Sequence, residues 1–486
     1  MDDNYCFSII LTSKRSIKPN YHQMNTQKTE HNILLVKTIK NILTAFCIFI
    51  EVFTSFVSLA GEIPSKPNIV LIMADDMGYE CLSSNGSLSY QTPNLDRIAD
   101  QGIRFSHCIA QPLCTPSRVK IMTGKYNYRN YEYFGYLNPN QKTFGNYLKE
   151  AGYSTCISGK WQLNGLSYDL PGKDDLNRPH HFGFDEYCLW QLDKLGKEGE
   201  RYANPLIIQN GKKLGGLENA YGPDIFSDFV CDFIERKADH PFFIYYPMVL
   251  VHDPFVPTPD SPEWTDTAKR YERNDRHFKE MVEYADKLIG KVESKLKAKG
   301  VLENTIFIFT GDNGTNVSIT TRTKQGAVKG AKSFTIDAGC HVPLIVRWPV
   351  SMKKGSVYEP LIEFSDFLPT MLEAAEIKYA PADFDGKSFF SVLKGDHRAT
   401  RETAFVHYDP QWGKTGDNRN RFAQTVKYKL YRDKRFYNII SDPLELNPLH
   451  ELSASEKITR ADLQKILDKA EKESPWIINR EKKANP

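Results

Sequence analysis

From residue 68 onward, uninterrupted apolar runs alternate with stretches whose apolar residues recur every three or four positions. That alternation predicts strands interleaved with helices, and so an α/β fold with a large, mainly parallel sheet between helices. The run Asn-Ile-Val-Leu-Ile-Met-Ala at 68–74 has the continuous apolar character of a strand covered on both faces. Runs at 153–158, 241–246 and 305–310 read the same way. Helices are expected at 94–101 and 143–151, closed by Gly102 and Gly152. The clearest helix spans 274–299, where Phe278, Val282, Ala285, Ile289, Val292 and Leu296 share one face before Gly300.

Beyond about residue 360 the pattern changes. Residues 361–375 read as a helix and 394–401 as a polar linker. Short alternating runs follow at 403–407, 422–427, 429–432 and 436–440, then an amphipathic stretch at 457–472. These predict a small C-terminal antiparallel sheet with a helix. The expected organisation is a leader over 1–60, a catalytic domain over 61–390 and a C-terminal subdomain over 391–486.

The one long apolar stretch, 42–60, follows Lys37 and Lys40, contains Glu51 and ends in Ser58-Leu59-Ala60. Those features describe a secretory signal better than a membrane span, with Met24 as a candidate start. The mature protein is expected to be exported, periplasmic or secreted, without a membrane span. Of nine cysteines, Cys6 and Cys47 fall in the leader, and the remaining seven show no zinc spacing. An odd number in an exported chain leaves one apart, and Cys114 is the candidate. With 63 Lys and Arg against 60 Asp and Glu, the charge balance excludes a nucleic-acid binder that works by bulk electrostatics.

Candidate chemistry sits where the predicted strands end. The first runs into Asp75-Asp76, the second into Gly159-Lys160, the third towards His252-Asp253, and the fourth into Gly311-Asp312-Asn313-Gly314. Ligands of open α/β sheets bind at the carboxyl edge, so these groups are expected to share one site. Asp75, Asp76, Asp312 and Asn313 offer only oxygen ligands, a set that suits Ca²⁺ or Mg²⁺ over zinc.

The most informative segment is Cys114-Thr115-Pro116-Ser117-Arg118. Pro116 suits the first turn of a helix, which places Cys114 where free N–H groups favour an anion. The string resembles the C-x-P-S-R signature of the type I sulfatases, which share the alkaline-phosphatase-like fold. The resemblance takes in Pro67-Asn68-Ile69-Val70, Thr92-Pro93-Asn94-Leu95-Asp96, Gly159-Lys160-Trp161 and Gly311-Asp312-Asn313-Gly314, in order. It implies that Cys114 is converted to formylglycine by a separate formylglycine-generating enzyme, and that one Ca²⁺ is bound by Asp75, Asp76, Asp312 and Asn313 beside residue 114. By motif position Arg118 would hold the hydrated aldehyde, Lys160 would bridge it to the sulfate, and His252 and Lys332 would bind the sulfate. His252 would also protonate the leaving oxygen. Lys329 lies close enough to Lys332 to compete for its role. A phosphatase or phosphodiesterase of the same fold would need more His and Asp ligands than these motifs supply.

One departure stands out. Where the family usually has His after Gly-Lys-Trp, this chain has Gln162, which hydrogen-bonds but takes no proton at neutral pH. Lys160 or an Asp ligand would have to substitute as base. Otherwise turnover would be impaired, and a non-catalytic binder of sulfated glycans is the competing reading. The expected substrate is a sulfated polysaccharide or oligosaccharide, since the chain resembles exported sulfatases of bacteria that degrade marine glycans such as ulvan. Gln162, Arg322, His341 and His407 are the candidate substrate contacts, and Arg421 lies in a segment that could reach the pocket mouth, while the tyrosines at 126, 128, 131 and 133 could stack on sugars but as a tight cluster more often pack.

Overall fold

The computed structural model describes residues 34–46, 66–193, 201–352, 354–410 and 419–476. The chain forms two units, Met1–Ile63 and Pro64–Pro486. In the first, residues 34–46 form a solvent-exposed helix. The rest of the expected signal stretch, from 47 to 60, lies outside the described residues. No helix among those described is long and apolar enough to cross a membrane.

The second unit carries sixteen strands among the described residues. The first eight are β1 (Asn68–Ala74), β2 (Ile103–Ile109), β3 (Ser154–Lys160), β4 (Glu186–Trp190), β5 (Ile207–Gln209), β6 (Lys212–Lys213), β7 (Phe242–Pro247) and β8 (Thr305–Gly311). They are followed by β9 (Thr320–Thr323), β10 (Gly326–Lys329), β11 (His341–Arg347), β12 (Ser356–Glu363), β13 (Ala404–Tyr408), β14 (Asn420–Gln424), β15 (Tyr428–Tyr431) and β16 (Phe436–Asn438). Ten strands form one sheet in the order β12-β2-β11-β8-β1-β7-β3-β4-β5-β6. Its central run, β8-β1-β7-β3-β4, is parallel throughout. β11 joins it antiparallel on one flank, as does β5 on the other. Every residue of β1 is buried, which explains why that strand carries no polar alternation.

Four helices matter below: α1 (Cys114–Thr123), α2 (Gly222–Lys237), α3 (His277–Ala298) and α4 (Ala454–Glu473). All six predicted face residues of α3 are buried. The helix starts at His277 because Asn274 is spent on a turn, its N–H bonded to Phe255 O and its side chain accepting from Arg276 N. α2 and α3 pack on one face of the sheet, and α1 on the other. The second sheet, β13-β14-β15-β16, is wholly antiparallel and packs against α4, as the alternating C-terminal runs predict.

One element differs in kind from its prediction. The helix expected at 361–375 begins only at Phe367, because Leu361, Ile362 and Glu363 pair in register with His107, Cys108 and Ile109 as the end of β12. An apolar run this short suits either element, and the available partner strand decides. β2, β4 and β11 were not legible as strands. Their sequences mix Arg, His, Glu and Pro343 into the apolar pattern. All seven described cysteines are free and buried, so no disulfide sets Cys114 apart.

Candidate active site

The parallel register brings the functional strand ends together. Ala74 pairs with Gly311 across β1 and β8, and Asp312 N donates to Ala74 O at 2.9 Å. Gly311 is required here, because a Cβ would lie 2.0 Å from Met77 O, where the chain after Asp76 crosses the strand end. Asp76 adopts φ +61° and directs its N–H to Asp312 Oδ1 at 3.0 Å. Three buried carboxylates, Asp75, Asp76 and Asp312, therefore share one edge.

Three cations interleave with them. Lys160, at the end of β3, donates to both oxygens of Asp75 at 2.9 and 2.7 Å. Arg118 bonds Asp312 Oδ2 at 2.9 Å and lies 3.5 Å from Asp75 Oδ1. Lys332 Nζ meets Asp76 Oδ2 at 2.5 Å and donates to His252 Nε2 at 2.9 Å. Lys329, by contrast, is exposed on β10. Burial alone would raise the Asp75 carboxyl, but the surrounding positive charge, led by Lys160, holds it far below the usual carboxylate range. Burial, together with the charge on Asp75, pushes Asp312 up to about 7. His252 is pushed down by burial and by Lys332.

Cys114 opens α1, with Arg118 one turn on along the same face. Its thiol donates to Gln162 Oε1 at 3.2 Å, and Thr115 Oγ1 reaches the same oxygen at 3.4 Å. Ser117 secures the approach to the helix through both the N–H and the C=O of Gln111. Cys114, Gln162, His252 and Lys332 line a cavity of about 380 Å³ with Arg201 and Asn316, and Leu113, Phe134 and Val317 give it an apolar wall. Arg201, Asn316 and the apolar wall were not anticipated from sequence. Arg201 belongs to no motif, and only the fold brings it near Cys114.

The C-terminal sheet reaches this site from below. Val406, Tyr408, Phe422 and Tyr431 pack in one cluster with Leu113, Cys114 and Cys340. Lys429 and Tyr431, themselves bonded to Glu445, both donate to Thr335 O in the loop that carries Lys332. That loop is further held by Ser333 N, which donates to Pro112 O at 2.7 Å with φ of Ser333 at +74°.

Three proposed substrate contacts lie elsewhere. Arg322 is exposed on the β9-β10 hairpin. His341 stacks on Tyr79 at 4.2 Å, pairs with Asp337 at 3.1 Å and bonds Ser106 O at 2.8 Å. His407 is buried against Trp476, where Arg421 Nε donates to its Nδ1 at 2.7 Å. The last two are consumed by packing and pairing that a linear sequence does not display. The tyrosines also pack: Tyr126 and Tyr128 against Phe405, and Tyr131 onto Pro410 O.

Carboxylates, cations and a residue held at a helix start, gathered at the carboxyl edge of an α/β sheet, form a site suited to an oxyanion. The chain belongs to the sulfatase family, whose model matches residues 67–377, and its enzymes are sulfuric ester hydrolases. Residues 331–473 match the N-sulphoglucosamine sulphohydrolase C-terminal model. The chain is 25% identical to an N-acetylglucosamine-6-O-sulfatase of Bacteroides thetaiotaomicron, over 85% of this chain and 87% of that protein. It is 30% identical to the Mus musculus N-acetylgalactosamine-6-sulfatase, over 69% of this chain and 68% of that one. Among solved structures, Ps i-CgsB in complex with k-i-k-neocarrahexaose has the same fold, with a TM-score of 0.68, 23% identity, and coverage of 86% of this chain and 96% of that one.

Proposed function

We propose that this chain, exported and matured at Cys114, releases sulfate from a sulfated carbohydrate bound in the cavity above residue 114. The observation that carries the reading is the convergence on one cavity of Cys114, His252 and Lys332, each of which neighbours the buried carboxylates Asp75, Asp76 and Asp312. The relatives named above act on sulfated hexosamines, which makes 6-O-sulfated N-acetylhexosamines the first substrates to test, beside sulfated marine glycans.

The residues present fit one Ca²⁺. Asp75, Asp76 and Asp312 offer oxygen only, and Asn313 Oδ1 is a buried acceptor without a hydrogen-bond donor, while its Nδ2 is fixed on Asp76 Oδ1 at 2.9 Å. A cation supplies what that oxygen lacks. Position 114 fits formylglycine, since the side chain sits at the cavity floor and a hydroxyl there would find Gln162 Oε1 where the thiol now does. Bound together, the calcium ion and the aldehyde hydrate supply an activated oxygen nucleophile for sulfur.

The chain's own residues do the rest. Arg118, tied to Asp75 and Asp312, favours their charged forms and holds both carboxylates aimed at the site. Lys332 Nζ supplies the positive charge of the anion-binding wall for the sulfate oxygens, with His252 beside it. A bound sulfate's negative charge favours the imidazolium, and His252 is then the group placed to hand a proton to the departing alcohol oxygen. Gln162 Oε1 orients the residue-114 side chain as an acceptor. The apolar wall of Leu113, Phe134 and Val317 thins the water around the anion, which strengthens each charge contact.

The test is sulfate release from a panel of sulfated oligosaccharides by protein co-expressed with a formylglycine-generating enzyme, with residue 114 read by mass. Release that disappears in Cys114→Ala and on chelation of calcium is the expected result. Fully converted protein that releases no sulfate from any member of the panel would overturn the reading.

A further inference from the structure

We propose that Arg201 recognises a second anionic group, a sulfate or a carboxylate, on the sugar whose sulfate ester is cleaved, which makes the enzyme selective for multiply charged glycans. The inference rests on the reading of the cavity as the place where the ester binds.

Arg201 lines that cavity with Cys114, His252 and Lys332. The other cations of the site are already matched: Lys160 to Asp75, Arg118 to Asp312 and Lys332 to Asp76. Arg201 is not, since no carboxylate among the described residues pairs with it, and its Nη1 is buried without a hydrogen-bond partner. A buried N–H of a charged group without an acceptor is costly, and an anionic oxygen in the cavity would relieve it.

The side chain is also held rather than free to swing into water. Its guanidinium lies 4.2 Å over the ring of Trp190, at the carboxyl end of β4. The next residue, Tyr202, is fully buried and donates its hydroxyl to Val249 O and His252 O. Tyr202 O in turn accepts from Gly222 N at the start of α2. Arg201 is thus pinned to the loop that bears His252, close enough for its charge to bear on that imidazole. A planar guanidinium braced on an aromatic face presents its remaining N–H groups in a fixed fork, the geometry that carboxylates and sulfates match and a neutral hydroxyl does not.

The experiment measures binding by calorimetry in the full chain carrying Cys114→Ala, so that it does not depend on turnover. The probes are N-acetylglucosamine 6-sulfate, glucosamine 2-N,6-O-disulfate and a 6-sulfated N-acetylhexosamine linked to a uronate. Tighter binding of the disulfate identifies sulfate as the second anion, and tighter binding of the uronate identifies carboxylate. Adding Arg201→Ala is expected to weaken the preferred dianionic probe about 10- to 100-fold and the monosulfate far less. Arg201→Lys, which keeps charge without the fork, should recover part of the loss, with circular dichroism and melting temperature unchanged in both. Equal affinities for all three probes, no binding of any, or equal losses across them on mutation would each overturn the proposal. An equal loss would place Arg201 on the scissile sulfate itself. Failure of the sulfatase reading is separable, because it would leave this selectivity intact while the converted enzyme released no sulfate.

Discussion

Helix α1 carries a buried ionic cluster on each of two faces, and the contrast between them shows what marks an active site. Arg118 points to Asp75 and Asp312. Lys120, two residues on and so on the opposite face, bonds Glu363 at 3.3 Å and Phe405 O at 3.0 Å. Around Glu363 two cations meet two carboxylates, with Arg401 bridging Glu363 at 2.8 Å and Asp366 at 2.5 Å. Backbone N–H groups of Phe405 and Lys387 and the hydroxyl of Ser365 complete that cluster. Every carboxylate there has its partners. The site above Cys114 is equally buried and equally rich in charge, yet it leaves Asn313 Oδ1 without a donor and borders open space. Burial and opposite charges alone therefore do not identify chemistry. The unmet acceptor and the adjoining cavity set the proposed site apart.

Breaking the first cluster should show mainly in activity. Asp312→Asn is expected to lower sulfate release on the order of 10³-fold or more, measured as kcat/KM on the best substrate. Its effect on the urea midpoint should be smaller than that of the next change. Breaking the second cluster should show in stability. Glu363→Ala leaves Lys120 buried without a carboxylate and Arg401 with Asp366 alone, and a loss of about 3–5 kcal/mol in urea unfolding is expected. If kcat per folded molecule fell with it, the two clusters would be coupled through α1.

Calcium sharpens the same contrast. At about 100 times its dissociation constant it should stabilise the native protein by about 2.7 kcal/mol, read as a rise in melting temperature. Asp312→Asn should abolish that rise, whereas Glu363→Ala should retain it. A smaller effect is expected from Gln162→His, which the φ of +55° at this position tolerates. Restoring a base beside residue 114 should raise kcat about tenfold, and an unchanged kcat would show that proton removal there is not limiting.

The smallest effect concerns the half-buried pair His341–Asp337, outside both clusters. Burial opposes the charged imidazole, but Asp337 outweighs it and raises the His341 pKa, while the Asp337 carboxyl is lowered in return. A raised histidine contributes stability that is complete below its unfolded pKa of about 6.5 and is lost as pH rises through the folded value. His341→Asn should therefore cost more stability at pH 6 than at pH 8. An equal cost at both would assign His341 to packing on Tyr79 alone.

What the sequence determined by itself is local and covalent. The continuous apolar run of β1, the facing residues of α3, Gly300 after it and the alternating C-terminal strands all follow from side-chain periodicity within one segment. The order of polar strand ends placed Asp75, Lys160, His252 and Asp312 at one edge, because parallel strands deliver their carboxyl ends to the same side. Tertiary structure decided everything that depends on which segments meet. It made 361–363 a strand, since β2 was there to pair with it. It consumed His341 and His407 in packing, set Lys332 rather than Lys329 against Asp76 and His252, and brought Arg201 to the cavity without any motif to announce it. The reason is physical. Secondary structure and strand direction are set by interactions a few residues apart, whereas a charge becomes a ligand, a bridge or a binding group only through the partners that folding sets beside it.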